Sequence, residues 1–104
     1  MPLKYRRLSS ASLPETAAPA IANGVLCTTF DEEVVLLNQA DGVYYGLSDV
    51  GARVWALVER SASIARIRET IMAEYDVDAA RCVSDLDRLI AELIRRGLVA
   101  VAAA

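Results

Sequence analysis

The sequence contains no histidine. That removes at once the commonest metal ligand and the side chain most often used as a general base near neutral pH. Cysteine is nearly as scarce. Cys27 and Cys82 are the only two, and neither belongs to a close-spaced pair, so no metal-knuckle or redox motif is present. Two such thiols could pair across a fold; free thiols in a reducing cytosol are the expectation. An excess of positive charge is also missing. The formal net charge is −3 and the isoelectric point is near 4.8, which argues against a nucleic-acid binder that works through a basic face. No apolar run is long enough to span a bilayer. Lys4, Arg6 and Arg7 are not followed by an apolar stretch of signal-peptide type, so no signal peptide is expected and a cytoplasmic location is the default.

What is present is a good supply of core-forming residues: 55% of the 104 positions are apolar. That suffices for one domain with one modest core and is too rich for disorder. Residues 1–20 read as a flexible polar arm carrying Pro14 and Pro19, and residues 21–101 as the folded domain. Ala102 to Ala104 form a short end with no assigned role.

Three strand-like runs follow the arm. Residues 24–30 are mostly β-formers, residues 34–37 are a continuous apolar run, and residues 43–47 read Val-Tyr-Tyr-Gly-Leu. Asp31, Glu32 and Glu33 form a polar turn between the first two. Asp41-Gly42 is the strongest hairpin signal, because glycine takes positive φ without a Cβ clash and aspartate tolerates it. Short turns between short strands predict an antiparallel meander.

At Ser48 the period changes from two to 3.6. Ser48 is a candidate helix cap, with Asp49 suited to the dipole, and Val50, Val54, Leu57 and Val58 share one face. Trp55 at the edge of that face is expected in the core. Ser61 or Ser63 restarts a second helix marked by Ile64, Ile67, Ile71 and Tyr75. Asp78 or a neighbour caps a third, which runs to about Arg96 and stops at Gly97. Three strands followed by three helices predict an α+β domain.

The third helix has a wide apolar stripe. Cys82, Val83, Leu86, Leu89, Ile90, Leu93 and Ile94 spread over about 140° at 100° per residue. A helix covering a small core needs about 100° or slightly more. Either the helix is deeply buried, or one edge of the stripe is left for a partner. The last strand of the meander poses a similar choice. A last strand is often a sheet edge with free N–H and C=O groups, and an edge beside an apolar helix invites an extended peptide to add as a new strand.

Catalytic constellations are missing. Asp85 and Asp87 lie two apart on a helix, face different ways and do not form an acid–base pair. No histidine can activate a serine, no nucleophile elbow is present, and Gly42, Gly46 and Gly51 do not have phosphate-loop spacing. No enzymatic activity, metal or cofactor is expected.

Taken in order, Val34-Val35-Leu36-Leu37-Asn38, Asp41-Gly42-Val43-Tyr44-Tyr45-Gly46-Leu47 and Gly51-Ala52-Arg53-Val54-Trp55-Ala56-Leu57 resemble the front half of a PqqD-family domain. Residues 71–78 resemble the family's I-x-x-x-Y-x-V-D stretch, and Asp85-Leu86, Leu89, Leu93 and Gly97-Leu98-Val99 resemble its closing helix. Together these cover about residues 22 to 100. The resemblance implies a winged helix-turn-helix with a three-stranded antiparallel sheet followed by three helices. It also implies a RiPP recognition element, which binds the leader of a ribosomally made precursor peptide by strand addition and presents it to modifying enzymes. Carried over by position, the peptide would meet Val43, Tyr44, Tyr45, Gly46 and Leu47 on the strand, and Cys82, Asp85, Leu86 and Leu89 on the helix. Asp85 would either contact the leader or only help start the helix, and Leu86 would either line the groove or sit in the core.

The phrasing around Gly42–Leu47 and Gly51–Trp55 is similar to the stand-alone recognition proteins of lasso-peptide pathways, whose partners are a leader peptidase and a cyclase. Proteins that act with radical-SAM enzymes share the pattern and remain the alternative. From another class, a winged-helix DNA-binding regulator is the rival. Its third helix would set Arg81, Arg88, Arg95 and Arg96 against Asp85, Asp87 and Glu92, leaving little net charge to meet phosphates.

Overall fold

The fold begins with a strap rather than with the meander. In the computed structural model, which describes residues 14–101, Pro19 is buried and Ala20–Ile21 forms a short strand, β1. Its antiparallel partner is Val99–Ala100, β5, at the other end of the domain. Residues 14–20 fall within the expected arm; residues 1–13 and 102–104 lie outside the described residues. The strap also meets a helix start. The first backbone N–H groups of a helix have no partner within it. Here Ile64 N donates to Ala17 O at 2.9 Å and Ala65 N to Glu15 O at 2.9 Å.

Val25–Phe30 (β2), Glu33–Asn38 (β3) and Val43–Ser48 (β4) make the expected antiparallel sheet, in the order β2-β3-β4. Asp31 closes the first turn at φ 53° and Gly42 the second at φ 70°, conformations that aspartate and glycine tolerate best. Side chains alternate across the pleat. Val34, Leu36 and Asn38 point inward and are buried, and β3 sits in the middle of the sheet.

Three helices follow: α1 (Val50–Glu59), α2 (Ile64–Glu74) and α3 (Ala79–Arg95). The core forms where α1 covers the inner sheet face and α2 and α3 close behind it. Leu36, Val54, Trp55, Ile64, Ile67 and Ile90 are all without solvent exposure there. The caps of α2 and α3 follow sequence logic: Ser63 accepts from Arg66 N and Asp78 from Arg81 N, both at 3.1 Å. Gly97, at φ 73°, ends α3 one residue after Arg96.

The start of α1 differs from expectation. Ser48 is the last residue of β4, and Asp49 takes the N-cap position without a side-chain cap bond, at φ 51° and ψ −122°. The chain must turn from strand to helix within one residue, and the backbone angles of Asp49 do this in place of a hydroxyl cap.

Candidate functional site

β4 pairs with β3 on one side and with no other strand among the described residues, so its outer backbone edge is open. The pleat divides its side chains. Val43, Tyr45 and Leu47 stand in register with the inward-facing Asn38, Leu36 and Val34, whereas Tyr44 and Gly46 face the other way. Tyr45 and Leu47 are half-buried and pack against the core. Tyr44 is 68% exposed.

The hairpin end of this edge is tied to the end of α3. Asn38 Nδ2 donates to Arg96 O at 3.1 Å, while Asn38 Oδ1 accepts from Ala40 N at 3.0 Å. The Arg96 guanidinium lies 5.5 Å from the centroid of the Tyr45 ring, within cation–π range. Glu92 pairs with Arg96 from one turn back, and the Tyr45 hydroxyl donates to Asp41 Oδ2 at 3.3 Å.

From that anchor a flank of α3 runs back along the helix. Asp85, Leu89, Glu92 and Arg96 are spaced i, i+4, i+7 and i+11, which puts them on one side. Leu89 is half-buried at the margin of the core. Asp85 is exposed and flanked by Arg81 at 3.8 Å and Arg88 at 4.0 Å, pairs worth little in water. Cys82 and Leu86 are buried in the core beneath this flank. Burial pushes the Cys82 thiol pKa up, and the nearby Asp85 carboxylate adds to the rise.

The structure therefore turns Val43, Tyr45 and Leu47 to the core side of the sheet, sets Leu89 and Asp85 on the flank of α3 that ends at Arg96, sends Tyr44 and Gly46 to the opposite sheet face, and takes Cys82 and Leu86 inside. Sequence reasoning missed Asn38, Asp41 and Arg96 at this site. Arg96 had a usable signal, being seven residues after Leu89 and so on the same flank; Asn38 had none, since its partner is a carbonyl far along the chain.

Asp85 and Asp87 do face apart. Asp87 is buried and paired with Arg68 on α2, the opposite flank from Leu89. No group of three or more acidic or thiol side chains gathers to hold a metal among the described residues, and no described helix is long and apolar enough to cross a membrane.

An open edge strand with an amphipathic last helix tied to its hairpin defines a class: a small α+β domain with a three-stranded antiparallel sheet followed by three helices. Residues 33–99 match the family model of coenzyme PQQ synthesis protein D, and the chain belongs to this PqqD family. The family resemblance and the element order expected from the sequence are both borne out. One similar solved structure is TbiB1 in complex with the TbiA(beta) leader peptide. It is 35% identical, covering 82% of this chain and 99% of that one, with a TM-score of 0.77. A second is a lasso peptide synthetase B1 complexed with its leader peptide, 23% identical over 81% of this chain and 99% of that one, with a TM-score of 0.74. The second likeness bears on the fold alone. No curated protein matches the chain.

Proposed function

We propose that the chain is a leader-peptide-binding recognition element. Within residues 21–101, it takes the leader of a ribosomally made precursor as an extra strand on β4 and presents it to modifying enzymes in the cytosol. The observation that carries this is the open β4 edge, tied at its hairpin to the end of α3 through Asn38 and Arg96. Strand addition uses backbone hydrogen bonds for affinity and side-chain pockets for selectivity. Val43, Tyr44, Tyr45, Gly46 and Leu47 supply the strand. Leu89 and Asp85 supply the helix side, with Cys82 and Leu86 supporting them from below. The chain contributes binding and position; the chemistry belongs to its partners, and no cofactor is called for.

The 35% identity to TbiB1, whose structure is a complex with the TbiA(beta) leader peptide, supports leader binding. The phrasing around Gly42–Leu47 and Gly51–Trp55 favours a lasso-peptide pathway, with a leader peptidase and cyclase as partners. The family model, described from coenzyme PQQ synthesis, keeps a radical-SAM partner as the second reading. DNA binding is disfavoured because Arg81, Arg88, Arg95 and Arg96 each already face Asp85 or Glu92.

Fluorescence polarisation against the TbiA(beta) leader tests the proposal, with the leaders of short precursor genes found near the chain's own gene as further probes. Binding in the nanomolar to micromolar range is expected. Leu89→Asp, placing a charge on the apolar margin, should weaken it at least tenfold, about 1.4 kcal/mol. Wild-type affinity in that variant, with its circular dichroism intact, refutes the placement.

A further inference from the structure

The sheet has a second face that no described element covers. Cross-strand register puts Leu26, Leu37 and Tyr44 in one row, and Thr28, Val35 and Gly46 in the next. Phe30 leads a third row that ends in Glu33 and Ser48. Leu26 is 53% exposed, Phe30 62% and Tyr44 68%. A Cβ added at Gly46 would meet nothing within 4 Å, so the centre of this face is open. Large apolar side chains set side by side on an open sheet face mark an interaction surface rather than scattered exposure.

Charge identifies what would fit. Residues 20–49, which contain the whole sheet, hold five carboxylates (Asp31, Glu32, Glu33, Asp41 and Asp49) and no lysine or arginine. Every arginine among the described residues lies in the helical half. The β2–β3 turn sets three of those carboxylates beside Phe30. An apolar patch with an acidic rim complements an apolar patch with a basic rim. A second copy of this chain would bring the same negative rim against its own kind, and an anionic membrane or nucleic acid would be repelled.

We infer that this face docks the modifying enzyme, through an apolar surface bordered by lysine and arginine. The inference rests on the proposed function and adds a geometry to it. A leader added to β4 would occupy the edge of the sheet, leaving the face of β2 and β3 free. Leader and enzyme would then bind together, the enzyme beside the strand that carries its substrate.

The test uses the full chain, a leader peptide that it binds by fluorescence polarisation, and the leader peptidase and cyclase of the pathway that processes that leader's precursor, each purified. Two variants are made on β2 and its turn, away from the proposed leader contacts: Leu26→Ser with Phe30→Ser, and Glu32→Lys with Glu33→Lys. Both alter exposed side chains, and circular dichroism checks the fold. Leader affinity is expected to stay within twofold of wild type. Affinity for at least one enzyme should fall tenfold or more in each variant, and wild-type docking should weaken as salt is raised. Leader binding with no docking of either enzyme, or docking unchanged in both variants, overturns this inference while leaving the proposed function standing. Failure of the wild-type chain to bind any leader strikes the proposed function instead. A concentration-dependent dimer abolished by Leu26→Ser with Phe30→Ser gives the face to a second copy, and gain of enzyme docking on deleting residues 1–13 gives it to that segment; either result overturns the inference.

Discussion

Asn38 crowds the backbone at Gly97: a Cβ added there would stand 3.3 Å from Asn38 Nδ2, closer than an ordinary contact. The same nitrogen donates to the Arg96 carbonyl. One contact thus fixes both the end of α3 and the hairpin from which β4 departs. Asn38→Leu removes this bond and the one to Ala40 N, leaving polar groups unpartnered at a cost of about 1–3 kcal/mol. Gly97→Ala must hold a Cβ at φ 73° beside the amide, a further strain of about 1–2 kcal/mol. Urea denaturation should show both losses, and leader affinity should fall with them because the two walls of the site lose their tie. A change below about 0.5 kcal/mol in both variants, the ordinary surface range, would show that the contact carries no load.

Arg68 and Asp87 form the domain's buried ion pair. Arg68 Nη2 reaches the two carboxylate oxygens at 2.7 and 2.6 Å, and its Nη1 holds Glu15 of the strap at 2.8 Å. Asp87 is only 3% exposed. Arg68→Met strands the buried Asp87 carboxylate and should cost about 3–5 kcal/mol, whereas Asp87→Leu leaves Arg68 its bond to Glu15 and should cost less. The double variant should recover most of that, since an apolar pair replaces an ionic one with little net loss. Thermal unfolding of the three variants decides it. Additive losses in the double variant would mean that the two residues act independently.

These two contacts also show where sequence reasoning stops. The strands were legible because their β-formers are punctuated by Asp41-Gly42 and the acidic turn. The helices were legible because Ser63, Asp78 and Gly97 mark their ends chemically. By contrast, β1 and β5 are two residues each and pair across nearly the whole chain, so no local period announces them. The roughly 140° stripe of α3 gave its width but not its orientation. Cys82 and Leu86 could be assigned to an edge or to the centre only once α2 was placed, and α2 packs on the Asp87 flank. That leaves Leu89 and Asp85, not the whole stripe, on the flank of α3 that ends at Arg96 and Tyr45.

The two thiols should respond to pH in the same direction. Partial desolvation of its sulfur, on the core side of the otherwise exposed residue, raises the Cys27 pKa, with Glu59 adding to the rise against opposing contacts from Trp55 and Thr29; burial and then Asp85 raise that of Cys82. A raised thiol pKa means less thiolate at a given pH, hence slower alkylation. Iodoacetamide labelling followed by mass spectrometry should find Cys27 reacting first, because it is exposed while Cys82 is buried. Both rates should still be climbing above the ordinary thiol pKa of about 8.5. The unfolded chain ionises its thiols first as pH rises, so their contribution to stability falls through that range. Glu59→Gln should speed Cys27 labelling near pH 8. A labelling rate that levels off by then, or no response to Glu59→Gln, would contradict this account.

Strand addition at β4 has a signature that side-chain substitution lacks. In an antiparallel pair, alternate residues bond to the neighbour and the others point outward. β4 bonds to β3 on one side only, so alternate amides along Val43–Ser48 should exchange with solvent quickly in the free chain. A leader pairing with the open edge would protect that outward set and leave the set already bonded to β3 little changed. β2 is the sheet's other edge and provides the internal control, for its outward amides should stay fast when the leader binds. Residue-resolved hydrogen exchange, with and without leader, reads all three sets in one experiment. Protection on β2 instead of β4 would move the leader to the opposite edge. Protection of neither, with binding retained, would mean that the peptide is held by side chains alone. The alternating pattern on β4, lost in Leu89→Asp at concentrations that saturate the wild type, would assign the contact to both strand and helix.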